Sequence, residues 1–326
     1  MKSWRRFCNF NRRFALAANC LDKVGRVFRN SPDMKTRIPP VLIIFALVCF
    51  ALVQNVQALL PAPSPDGGYP GGNTAEGINA LHDVNTAVGI NNTAVGANAL
   101  RDNTTGQYNV AVGSRALENN LTGNFNMAIG AEALRGNNAN FNTAIGFRVL
   151  FMNSTGKHLT GIGAAALRNN TTADFNTAIG ADAMRENRTG EKNTATGADA
   201  LAQNTIGDFN TANGSSALFS NTAGRGNTAV GASALLNNGT GSTNTATGIS
   251  ALFANTHGSF NTAIGDAALA ANTDADRNTA VGALALNDST GFRNTAIGFD
   301  AGHNVTTASN VICIGSNVDG ANVSNS

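Results

Sequence analysis

Short segments in which polar and apolar residues alternate recur along most of this chain, and nearly every one ends in glycine. In Asn176-Thr177-Ala178-Ile179-Gly180 the period is two. Thr177 and Ile179 therefore belong to one side of an extended segment, and Asn176, Ala178 and Gly180 to the other. The residue before the glycine is usually β-branched and apolar, as at Val95, Val112, Ile129, Ile145, Ile162, Val230, Ile264, Val281 and Ile297. That composition predicts short strands. An Ala-Leu pair follows each glycine closely and has space for one helical turn, whereas an isolated helix needs roughly 12 residues or more. The pattern therefore predicts strands and turns without helices.

The spacing of the units turns this local pattern into an architecture. Glycines stand at 96, 113, 130, 146, 163, 180, 197, 214, 231, 248, 265, 282, 298 and 315, a 17-residue interval with two intervals one residue short. Most units read Asn-Thr-Ala-x-Gly, two variable residues, Ala-Leu, two more, Asn, a short polar run, then Gly or Ala. Repetition of this kind predicts an all-β parallel β-solenoid or β-roll of 17-residue coils over residues 73–315. Each coil would bond to its neighbours about 4.8 Å away, so that Ile179 lies beside Ile162 and Thr196. The Val/Ile and Leu columns are the expected core, a buried side chain contributing about 1.5–3 kcal/mol. The Asn columns are expected to stack their amides. The glycines are expected at positive φ or at a close backbone approach. Asn73–Gly77 and Asn85–Gly89 read as irregular coils of a terminal, capping region.

The Asn176/Ala178/Gly180 side is small, and aromatic residues make up only 6% of the chain. A single coil thus has little bulk for a core, which predicts side-by-side association of several chains over the Ala/Gly face. The alternative is a monomer whose own coil turns over that face.

Residues 1–58 have a different character. Ten basic and two acidic residues precede or flank an apolar run from Val41 to Val53, and Val56-Gln57-Ala58 offers small residues at a cleavage site. These features predict a secretory signal peptide cut after Ala58, with Met34 as a possible true start. An uncleaved signal anchor is the competing reading, although 13 apolar residues fall short of the ~20 that span a bilayer. Residues 59–72 are a Pro/Gly linker. Without the leader, residues 59–326 carry 12 basic and 18 acidic residues, a net of −6, and the only basic patch is gone. Nucleic-acid binding is therefore not expected, and membrane contact is expected only through the leader. Cys8, Cys20 and Cys49 leave with it. Cys313 remains, as a small buried residue or, alternatively, as a bridge between chains.

No constellation of residues predicts chemistry. His82, His158, His257 and His303 lie in different coils without metal-ligand spacing. Asp182, Asp199 and Asp266 follow the strand glycines and read as a solvated face. A glycoside hydrolase would need paired carboxylates, and no pair stands out. No catalytic, cofactor-binding or metal residue and no cofactor is assigned, and the chain is read as a non-enzyme. The most individual stretch is Leu159-Thr160-Gly161-Ile162-Gly163, with Phe151, Met152 and His158 before it. Drift in one coil and a local ligand contact are the two readings of it.

Asn-Thr-Ala-Ile-Gly followed by Ala-Leu resembles the Hep/Hag repeat of trimeric autotransporter adhesin heads, over roughly residues 73–315. That resemblance implies a left-handed β-roll, three chains packed side by side, and a surface, protein or glycan ligand. The longer unit also resembles repeat stalks of secreted bacterial proteins and tail-fibre-like proteins that end in an endosialidase-type chaperone domain. Residues 316–326 read as a truncated tail, without the aromatic-rich strands of a membrane barrel segment. The expected function is an exported structural or adhesive rod, secreted or at a cell surface. Two alternatives are an ice-binding solenoid using the Thr177, Thr194, Thr211, Thr228, Thr245 and Thr262 ladder, and the stalk of a fibre. Against ice binding stands the Val/Ile sharing the Thr side, which argues for burial.

Overall fold

The computed structural model describes residues 69–85, 87–321 and 323–324. The expected leader with Met34, the cleavage point after Ala58, Cys8, Cys20, Cys49 and the linker up to residue 68 lie outside them. Fifteen three-residue strands follow a 3-10 turn at Pro70–Gly72. They are β1 Thr74–Glu76, β2 Thr93–Val95, β3 Val110–Val112, β4 Met127–Ile129 and β5 Thr143–Ile145. Next come β6 Thr160–Ile162, β7 Thr177–Ile179, β8 Thr194–Thr196, β9 Thr211–Asn213 and β10 Thr228–Val230. The series closes with β11 Thr245–Thr247, β12 Thr262–Ile264, β13 Thr279–Val281, β14 Thr295–Ile297 and β15 Ile312–Ile314.

All fifteen form one parallel sheet in sequence order. Ile179 pairs with Ile162 on one side and Thr196 on the other, so the repeat is read in register. The two 16-residue steps lose their residue in a corner: the side chain of Asn137 reaches the carbonyl two residues on, at Ala139, where Asn187 reaches Gly190, three on. The span from Asn85 to Gly89 is not a coil. The N–H groups of Val88 and Gly89 both donate to the Asn85 carbonyl, a turn within the longer first coil. At the far end Gly302 donates to the Val318 carbonyl, and Gly320 to Asn304 Oδ1, so part of the tail continues the winding.

The core differs from the sequence expectation in one decisive respect. From β2 onward the strand-centre alanines, Ala178 among them, are fully buried inside their own coil, while Ile129, Ile179, Val230, Ile264 and Ile297 are exposed. No second chain is needed to cover the alanines. The interior is filled from the opposite wall by Leu100, Leu117, Leu134 and their equivalents, each at φ near +50°. A left-handed residue costs a side chain some energy. Here it turns the leucine back into a lumen too narrow for isoleucine at the facing strand.

Two asparagine ladders line the lumen. In the strand ladder, Asn193 Nδ2 donates to the Gly207 carbonyl at 2.8 Å, and its Oδ1 accepts the Asn210 N–H at 2.8 Å. In the turn ladder, Asn187 Nδ2 donates to Asn170 Oδ1 at 3.0 Å and to the Gly190 carbonyl at 2.9 Å. These buried amides are tolerated because they are hydrogen-bonded from coil to coil. The glycines that end the strands have φ between +121° and +144°. A Cβ on Gly197 would stand 2.5 Å from the Gly214 carbonyl oxygen, so the column admits no side chain.

The individual stretch at 159–163 has a packing explanation. Val149 stands where most coils place alanine before the leucine, and Gly161 stands where they place strand-centre alanine. A Cβ at 161 would lie 2.5 Å from Val149 Cγ1. One added methyl pair is thus offset by one removed carbon in the next coil. Gly161→Ala is expected to destabilise by about 1–3 kcal/mol through overpacking, and Val149→Ala in the same chain to restore most of it. Denaturant melts of both single variants and the double variant check this, and additive losses would contradict the pairing.

Candidate functional surface

The strand residues on either side of each strand-centre residue point outward and form two parallel columns, two residues apart along each strand. Of these outward positions only Glu76 is charged. From β3 to β7 the columns are mostly aliphatic, including Val110, Met127, Ile129, Ile145 and Ile162; from β8 to β11 they are mostly threonine. Thr177, Thr228, Thr245 and Thr262 are half-buried, and Thr194 and Thr211 are exposed. The threonine column is therefore an outward ladder, as one sequence alternative required, and the neighbouring Val/Ile column does not bury it.

An aromatic column borders this face, at the position before each strand asparagine. Tyr108, Phe125, Phe141, His158 and Phe175 stack with centroids 5.0–5.2 Å apart and planes within 5°. All five sit at φ between +55° and +61°. Face-to-face stacking along the axis leaves ring edges, not ring faces, toward solvent. His158 is thus part of a structural stack. The sequence held these residues at 17-residue spacing, and reading the column before the asparagine would have found them.

The charged side chains occupy other walls. Glu118 is almost fully buried between Arg101 and Arg135, with contacts of 2.8 Å to each. Glu132 receives Arg148 at 2.5 Å and lies 3.7 Å from Arg115. The remaining histidines lie beside acids: His82 with Asp83 at 2.6 Å, His257 with Asp274 at 2.7 Å, and His303 with Asp319 at 3.2 Å and Asp300 at 3.9 Å. Asp182 faces Arg185 at 3.5 Å. Among the described residues no three His, Cys, Asp or Glu side chains meet in a metal-sized group. Cys313 is buried at the centre of β15, in the alanine column, and burial raises its thiol pKa.

These pairs predict acid sensitivity. Hydrogen bonds from Arg101, Arg148 and His257 hold Asp102, Glu132 and Asp274 below the ordinary carboxylate range. At Glu186 burial pushes the other way, but Asn169 and Arg185 outweigh it. A depressed pKa means the unfolded chain binds the proton first, so the contribution is complete above about pH 4.5 and is lost as pH falls through the lower folded values. The melting temperature is expected to be flat from pH 7 to about 5 and to drop below about pH 4. A profile unchanged down to pH 2.5 would contradict it.

No protein-family model matches this chain, and no curated protein matches it.

Proposed function

We propose that the chain is an exported, non-enzymatic structural rod whose copies assemble through the strand face, presenting the remaining walls to a surface or partner. One observation carries the reading: a sheet face of fifteen rungs, aliphatic and hydroxylic, with its single outward charge at Glu76. Fourteen steps of about 4.8 Å make a strip roughly 67 Å long. At about 10 Å across it offers on the order of 650 Å² per chain, and the aromatic border brings it near the ~800 Å² per partner of a stable interface. Depletion of charge is the compositional mark of an interface core. The resemblance to Hep/Hag heads supports three copies, and the basic-then-apolar leader supports export.

Light scattering coupled to size exclusion on residues 59–326 tests the assembly. Three times the chain mass is the expected result, and Ile162→Glu is expected to return it to a monomer without changing the coil. A wild-type monomer at tens of micromolar would sink the assembly.

A second reading is favoured by the exposed threonine ladder. A regularly spaced Thr/Val/Ile face, free of charge beyond Glu76, is suited to ordering water, and ice binding would use the same columns. Thermal hysteresis together with a monomeric mass would move the reading to ice; an assembled rod without hysteresis would remove it.

A further inference from the structure

Near the last strands the aromatic column gives way to arginine. Arg277, Arg293 and Asn310 continue the positions that Tyr108 to Phe175 occupy, and Asp276, Phe292 and Ser309 are the residues just before them. These six side chains line an open groove of about 380 Å³ beside β13, β14 and β15. Arg277 and Arg293 hold the same left-handed backbone, φ +61° and +58°. Their N–H groups donate to the carbonyls of Ser259 and Asp276, both at 3.1 Å, in the same coil-to-coil register.

The two guanidinium groups differ from most of the arginines. Arg101, Arg115, Arg135, Arg148, Arg185 and Arg225 each hold a carboxylate. Among the described residues Arg277 and Arg293 hold none, Arg277 being only 5.9 Å over the Phe260 ring. Asp276, the one acid in the groove, is turned toward the preceding coil, where its Oδ1 accepts the Ser259 N–H at 2.7 Å. Two permanently charged groups one coil apart thus line a concavity that holds a single carboxylate, itself engaged by the Ser259 N–H, and their planar forks match carboxylate or sulfate oxygens. Phe292, directly before Arg293, supplies an exposed apolar surface in the groove, and Ser309 and Asn310 add polar atoms one coil further from Asp276. A long polyanion is a poor fit, because residues 59–326 carry a net charge of −6.

We infer that this groove is a binding site for a short acidic saccharide, its carboxylate or sulfate held between Arg277 and Arg293 and a sugar face on Phe292. The inference does not depend on assembly through the strand face.

Titration calorimetry on the full chain tests it, with trigalacturonate as the carboxylated probe, a sulfated chondroitin tetrasaccharide as the other, and galactotriose as the neutral control. At least one acidic probe is expected to bind and galactotriose is not. Arg277→Gln and Arg293→Gln are each expected to weaken binding at least tenfold while leaving the melting profile unchanged. Arg293→Phe restores the aromatic column and is expected to remain folded while losing the ligand. Three results would overturn the site: neither acidic probe binds, inorganic sulfate binds as well as the saccharides, or Arg188→Gln, on an exposed arginine outside the groove, weakens binding as much as the groove variants.

Discussion

Gly180→Val is expected to cost more than about 4 kcal/mol and to split the single melting transition into two. Gly180 has φ +140°, a backbone region that side chains avoid at a cost of order 1–3 kcal/mol. Its Cβ would also meet the carbonyl of Gly197, and would lie 3.0 Å from the Ala198 nitrogen, both backbone atoms of the next coil. Neither can move without opening the β7–β8 pairing. In a solenoid each coil contacts only its neighbours, so a break at the middle uncouples the coils on either side. Gly136→Ala is the control. A Cβ there would have the Phe151 and Asn153 carbonyl oxygens 3.7 and 3.9 Å away, ordinary contact distances, and the change is expected to cost less than about 1 kcal/mol. Scanning calorimetry with hydrogen exchange on both variants separates the strand-end glycine from a turn glycine with space around it. One unsplit transition for Gly180→Val would refute the role assigned to its column.

Asn193→Leu is expected to cost about 2–4 kcal/mol, mostly by orphaning hydrogen-bonding groups and only slightly by changing packing. The substitution removes the acceptor of the Asn210 N–H and one donor to the Gly207 carbonyl. The carbonyl keeps Asn204 Nδ2 at 3.0 Å. The Asn210 N–H, in a residue 1% exposed, loses the acceptor shown for it. Leucine fits this column, since Leu159 fills it in one coil and is buried there. The measured loss therefore reports hydrogen bonding more than a steric clash. Urea unfolding against Thr194→Ser, an exposed neighbour, provides the scale. A loss below about 0.5 kcal/mol would mean that water or a backbone shift replaces the ladder.

Both predictions rest on features legible in the chain. The 17-residue glycine interval fixed the number and register of the coils because backbone pairing between identical units leaves no other alignment. Asn176 and Ala178 belong to one side of the strand by simple alternation, and the buried amide ladders follow from asparagine recurring at that side. The exclusion of helices followed from the one-turn space around Ala183-Met184.

Which side faced inward was beyond the sequence. Alternation has two solutions, and hydrophobicity favoured burying Ile179 in the coil and leaving Ala178 to be covered by neighbouring chains. The lumen decided otherwise, because left-handed leucines from the opposite wall leave space for a methyl group and no more. That single inversion turns the Val/Ile and Thr columns into an outward face and closes the coil over its own alanines. Val149 with Gly161 shows the same principle locally: two residues that looked like drift are one fitted pair. The stack from Tyr108 to Phe175 and the unpaired Arg277 and Arg293 likewise exist only once winding brings residues 17 or 16 positions apart side by side. The period of the chain determined the solenoid, and the volume of its interior determined which surface is left to act.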